Sequence, residues 1–350
     1  MHTAIRLLFT VALTSAIVAG CGGTTKIDTG PAGTVQISVQ SSRDVTKPFT
    51  TDDGWTVHFT RYLVSIGDPV VTRRASAQAD GGVGSGPMMV QNSKRLYLVD
   101  FAKEQSVVLQ FLSNIRVGDY DLTWVMDTPD TCAAPITDDP EHPDRLGIST
   151  LIAGKNTFLV TGEASKDAVT RTFRMYGTVQ PTWSNCTTGA AGSPSFTIEE
   201  GQTTEVALSF DVDRILATDF TGASDAVDAG WIDRAFDGTS LTVMTGQGEP
   251  LKIDVDSQTD LGMPNKLDEV FPAADGYDLT GSLVDNPRGY VNYWLRGQVA
   301  IAGGIGNGGT CTATVTPHTR PPDECEHNPG PDAGMPDAGM ADAGELDAAL

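Results

Sequence analysis

The chain has 350 residues, with 45 acidic against 23 basic side chains and a formal charge of −22. Such an acidic balance argues against nucleic acid and against anionic membrane surfaces as partners, because both would repel it. The length suits one large β domain or two smaller ones.

The first element in chain order is an apolar run over residues 7–20, preceded by a single charged side chain, Arg6. At about fourteen residues the run is shorter than the roughly twenty that cross a bilayer. It ends in Val18, Ala19 and Gly20, directly before Cys21, and two glycines follow. This layout predicts a secretory signal peptide over 1–20. Its end resembles the bacterial lipobox, which implies an acylated Cys21 and a flexible tether over 21–32. Each buried methylene contributes about 0.8 kcal/mol, so two or more acyl chains anchor where one does not. The expected location is the cell envelope, lipid-anchored at the outer membrane and facing the periplasm or the cell surface. The expected membrane contact is the lipid alone.

Period-two alternation then predicts strands with one buried face. Val35, Ile37 and Val39 alternate with polar residues, as do Trp55, Val57 and Phe59; Tyr62, Val64 and Ile66 continue on the opposite parity. That switch at Thr60–Arg61–Tyr62 predicts a β-bulge. Further strands are expected at Tyr120–Met126, Phe158–Val160, Phe173–Met175, Val206–Val212, Tyr277–Leu283, Tyr293–Ile301 and Ala313–Val315. Ala75–Gly86 reads as a loop. Helix is expected at Asp225–Phe236, with Ser224 as its N-cap, and as a short turn at Leu267–Val270. The fold class is all-β: an antiparallel sandwich over 33–215, with 216–318 a second β region or its continuation. The end, 319–350, carries a five-residue Pro/Asp/Ala/Gly repeat and is expected to be a disordered acidic tail.

Four cysteines follow Cys21, and an oxidising compartment favours two disulfides among Cys132, Cys186, Cys311 and Cys325. Proximity along the chain favours Cys132–Cys186 and Cys311–Cys325. There is no C-x-x-C, which disfavours a zinc ribbon or a thioredoxin-like motif.

Several stretches resemble uncharacterised envelope lipoproteins of myxobacteria. They are DDGWTVHFTRYLVSIGD (52–68), the Val99–Asp100–Phe101 turn, VGDYDLTW (117–124), FLVTGEAS with TFRMYG (158–177), and the Asp-Ala-Gly tail. The resemblance covers about residues 30–215 and implies a small β-sandwich of a surface lipoprotein; its motifs are structural rather than catalytic. Some relatives carry histidines in the strand equivalent to Ser209–Asp213, where this chain has none. That argues against an inherited metal site.

Direct tests for chemistry point the same way. GGIGNGG (303–309) has the G-x-G-x-x-G spacing, but the segment after it reads as a strand and not as the helix a pyrophosphate site needs. A hairpin loop is expected there. His58 alternates outward, and His142, His318 and His327 lie in loop-like sequence, so no zinc or copper pattern forms. Asp254, Asp256 and Asp260, and separately Asp138, Asp139, Glu141 and Asp144, are acidic clusters without a calcium-loop pattern. No G-x-S-x-G nucleophile occurs. No cofactor or metal is expected.

A ligand surface is expected on one face of the strand predicted at 290–301. With Tyr293, Leu295, Val299 and Ile301 inward, Tyr290, Asn292, Trp294, Arg296 and Gln298 face outward. They could stack on a carbohydrate ring and bond its rim. The same reading allows that a second layer covers Trp294. The expected function is a non-catalytic binding or envelope-interaction module with a carbohydrate or protein ligand. The alternative is a secreted hydrolase acting on an envelope or extracellular polymer.

Overall fold

A computed structural model describes residues 30–75, 88–92, 95–129, 133–136, 151–219, 227–234, 241–244, 291–306 and 308–315. In chain order the strands begin with β1 (Ala32–Ser41), β2 (Phe49–Thr50), β3 (Thr56–Arg73), β4 (Met88–Asn92), β5 (Leu96–Asp100) and β6 (Ser106–Arg116). Next come β7 (Gly118–Met126), β8 (Ala134–Ile136), β9 (Phe158–Lys166), β10 (Val169–Gly177) and β11 (Pro181–Thr187). The last are β12 (Phe196–Ile198), β13 (Thr203–Phe210), β14 (Leu241–Met244), β15 (Gly303–Ile305) and β16 (Gly309–Val315). Among the described residues, helices α1 (Gly230–Arg234) and α2 (Val291–Ala300), a helical turn over 151–154 and a 3-10 turn at Val212–Leu216 accompany the strands. The fold is all-β, as the alternation predicts.

All these strands belong to one sheet, ordered β14-β10-β9-β3-β7-β11-β16-β15-β13-β1-β6 along its main path. Most pairs are antiparallel, but β1 with β13, β5 with β8 and β10 with β14 are parallel. The sheet is therefore mixed where an antiparallel one was expected. β3 and β13 are far apart along this order, yet the rings of Tyr62 and Phe210 sit 6.2 Å apart. The sheet has curled until its inner face meets itself. Strict alternation drives this: β1 buries every second residue, with Val35, Ile37 and Val39 wholly inside, so one face must find an apolar partner.

β3 is the spine. It pairs with β9 from Thr56 to Val64 and with β7 from Ile66 to Arg73. Its register slips between Phe59 and Arg61, the bulge predicted from the parity switch. The Val99–Asp100–Phe101 turn holds that bulge. The backbone N–H of Tyr62 donates to Asp100 Oδ1 at 2.9 Å, and Ala102 N–H does so at 3.2 Å. Phe101 N–H in turn donates to the Tyr62 carbonyl. Asp100 is buried, and that burial pushes its carboxyl above the usual range despite the backbone donors and nearby Arg61.

Within the segment predicted as a strand, Val291–Ala300 is instead helix α2. Leu295, Gln298, Val299 and Ala300 are all buried. A short helix enclosed on several sides has no single apolar stripe, so its neighbouring apolar residues imitated alternation. Directly after it, β15 and β16 pair antiparallel as the expected hairpin. The glycines have mechanical reasons. At Gly303 any Cβ would lie 2.3 Å from the Trp183 ring, and Gly306 turns with φ +58°. This hairpin sits between β11 and β13, so residues 303–315 lie within the sheet of the first two hundred residues.

The disulfide observed is Cys186–Cys311, which corrects both pairings favoured from chain proximity. β11 and β16 are neighbours, and their register slips between Ser184 and Thr187. Asn185 takes φ +50° inside that slip, which brings Cys186 opposite Cys311. Sheet adjacency outweighed a separation of 125 residues. Cys132 and Cys325 lie outside the described residues, as do 1–29, most of the loop expected at Ala75–Gly86, the elements expected at 267–270 and 277–283, and the tail.

Candidate functional site

The richest polar grouping in the described structure is at the end of the sheet where β1 and β13 finish. Four segments converge there: residues 42–48, the turn between β2 and β3, the 3-10 turn after β13, and the residues leading into α1.

Arg43 Nε lies 2.9 Å from both carboxylate oxygens of Asp213. Its guanidinium also covers the Phe49 ring at 4.6 Å. Burial pushes Asp213 above the usual carboxylate range against the pull of Arg43, and the charges of Asp211 and Asp52 add to the rise. Asp211 accepts from the Asp213 N–H as the cap of the 3-10 turn, and from Ser42 Oγ at 2.9 Å. Tyr62 projects up from the core and donates to the Val212 carbonyl at 3.3 Å. Burial raises its phenol well above the ordinary value, with Asp211 and Asp213 reinforcing the effect.

The second half of the group surrounds α1. Asp52 accepts from Val227 N–H at 2.9 Å. Asp53 accepts from Gly230 N–H at 2.8 Å, from Ala229 N–H and from Thr51 Oγ1. Asp228 accepts from the same Gly230 N–H at 2.6 Å. Burial works to raise Asp53, but its contact with Asp228 and its other donors outweigh that and hold it below the usual range. These carboxylates receive the N–H groups that open the helix, and Ser224, expected as its N-cap, lies outside the described residues.

A buried knot lies close by. Arg214 Nη2 and Gln298 Nε2 both donate to the Asp219 carbonyl, at 2.9 and 2.7 Å. Burial lowers the Arg214 guanidinium, while Asp211 and Asp219 oppose the fall. The knot clamps α2 to the 3-10 turn.

The predicted ligand face has to be redrawn. Asn292, Trp294, Arg296 and Gln298 follow one another at about 200° around a helix instead of sharing one side of a strand. Gln298 is wholly buried in the knot and Arg296 is half-buried. Tyr290 lies outside the described residues. His58 is exposed, as its outward alternation predicts. His142, His318 and His327 and both calcium-like clusters fall outside the described residues. Sequence reasoning missed Arg43, Asp53, Asp213 and Asp228, although Asp-Asp-Gly-Trp at 52–55 does signal a turn rich in acceptors.

Chemically, this end presents negative charge on a fixed frame. Asp52, Asp53, Asp211 and Asp213 each hold a backbone N–H, a hydroxyl or the Arg43 guanidinium. Among the described residues no group of three or more His, Cys, Asp or Glu side chains could hold a metal ion. Among them, too, no helix is long and apolar enough to cross a membrane. Compared with known protein families and with curated proteins, the chain matches none.

Proposed function

We propose that this protein is a lipid-anchored envelope lipoprotein whose β domain serves as a non-catalytic module for contact with other envelope components, carbohydrate or protein. The observation that carries this reading is the apolar run ending Val18-Ala19-Gly20-Cys21-Gly22-Gly23. A disulfide suits an extracytoplasmic compartment. The polar end supports binding over catalysis, because its carboxylates are engaged in fixing loops.

The anchor also limits how far the domain sits from the bilayer. Cys21 and Gly30 are nine residues apart, so the tether spans at most about 30 Å. Chain entry is fixed where Arg116 Nη1 donates to the Gly30 carbonyl and Val117 N–H donates to that of Pro31. β1 then runs its ten residues away from that point to the acidic end. The acidic end accordingly faces away from the bilayer, where anionic headgroups would repel it.

The test is mass spectrometry of the mature N-terminus, paired with membrane fractionation of a Cys21→Ser variant. The expected result is an acylated peptide beginning at Cys21 and release of the variant into the soluble fraction. An unmodified N-terminus, or a variant that stays with the membrane, would overturn the reading.

A further inference from the structure

We propose that β6 is a self-association edge, through which two copies of the chain join antiparallel about a two-fold axis. β6 ends the sheet order, and among the described residues no strand pairs with its outer side. Its backbone N–H and C=O groups on that side form a template for another strand. Natural edges are commonly blunted by lysine, proline, an inward charge or a bulge, and of these β6 carries only the register slips against β1. Residues 106–116, SVVLQFLSNIR, contain neither lysine nor proline, and their one charge is the terminal Arg116.

Two observations select a second copy as the occupant. The first is charge. A chain of net charge −22 repels itself in general, but this strand has no acid, so two copies can pair along it without opposing carboxylates. The second is self-complementarity. Val108 and Phe111 are among four large hydrophobic residues exposed in the described structure, at 43% and 62%. They are three apart in sequence, but the register slip between Ile37 and Ser38 puts both on the outer face, opposite Ser38 and Gln36. Val107 and Leu112 point inward, opposite Val39 and Val35. A two-fold axis between Leu109 and Gln110 therefore sets Val108 against Phe111 of the second copy, and Phe111 against its Val108. The same axis sets Val107 against Leu112, so inward residues meet inward and outward meet outward. One patch satisfies itself twice, as an isologous interface requires. The polar neighbours Ser38 and Gln36 confine the apolar surface to the rim of the sheet, which suits edge pairing rather than stacking on its face. The proposal does not depend on the lipid anchor.

The test uses the full-length chain in detergent. A Val108→Cys/Phe111→Cys double variant is expected to give a disulfide-linked dimer on mild oxidation. Either single variant should give none above wild type, because identical positions lie about 10 Å apart along the paired strands. Sedimentation should show a wild-type dimer that Phe111→Lys weakens by at least about tenfold, with melting unchanged at concentrations where both proteins are monomeric. A monomer at every concentration, a dimer indifferent to Phe111→Lys, or cross-linking by the single variants as readily as by the double would each overturn it.

Discussion

The sheet of residues 30–219 and the segment 291–315 share one core, but they are held in it differently. The first buries alternate side chains strand by strand, and its stability is spread over many aromatic contacts, such as Phe59 with Tyr62 and Phe173. The second comes late in the chain and fills a gap between β11 and β13, where β16 pairs with β11 and β15 with β13, and further fastenings reinforce that pairing. Trp183 Nε1 donates to the Ala300 carbonyl at 2.9 Å, Asp211 N–H donates to Ala302 O at 2.7 Å, and Cys186 is bonded to Cys311. The difference teaches that strands missing from the middle of a sheet can be supplied from far along the chain, provided that they pair with both neighbours and specific fastenings add to that pairing.

The sharpest way to break this arrangement is at Trp183. Its ring rests on Gly303, lies 4.1 Å from the Trp124 ring and bonds the end of α2. Trp183→Ala is expected to cost about 3–5 kcal/mol in chemical denaturation and to loosen the late segment in hydrogen exchange. Replacing Cys186 and Cys311 together by serine comes next, at about 2–4 kcal/mol, by releasing the unfolded chain from a long loop. Exchange protection should fall more in β16 than in β9.

The early region has its own test. Asp100→Ala leaves the buried Tyr62 N–H without its acceptor and is expected to cost about 1–3 kcal/mol. Asp100→Asn keeps an acceptor at that atom and should cost under about 1 kcal/mol. The pH dependence has a definite sign. The folded state raises Asp100, so it binds that proton more tightly than the unfolded chain does. The stability of wild type relative to Asp100→Asn should therefore fall as pH rises from the ordinary carboxylate range through the raised value. Denaturation of both proteins across acid pH measures it.

How far each region could be read beforehand follows from the same contrast. In 30–219 the bulge at Thr60–Tyr62 was legible, because a parity change in alternation is visible in one dimension. Its keeper, Asp100, is visible in the sequence only as part of the Val99–Asp100–Phe101 turn, since nothing local says that its carboxylate reaches a backbone thirty-eight residues away. In 291–315 the hairpin was legible from its glycines, but α2 was not, because enclosure removes the helical stripe. The Cys186–Cys311 bond was illegible for a related reason: sheet order, not chain distance, decides which cysteines meet. The acidic end was legible as composition and turn chemistry, while the pairing of Arg43 with Asp213 depends on where two loops converge.

The smallest effect is expected at Asp53. Asp53→Asn weakens the acceptor set at the start of α1, and a half-exposed cap of this kind is worth about 0.5–1 kcal/mol. Here the sign is opposite to that at Asp100. The folded state holds Asp53 low, so its contribution is present above the ordinary carboxylate value and is lost as pH falls through the lowered one. The gap between wild type and Asp53→Asn should close on acidification.

The account stands on the late hairpin being fastened into the early sheet, and a non-reducing peptide map of the full-length protein tests that most directly. It predicts one linked peptide pair containing Cys186 and Cys311. A map in which Cys186 is joined to Cys132, or Cys311 to Cys325, would contradict it.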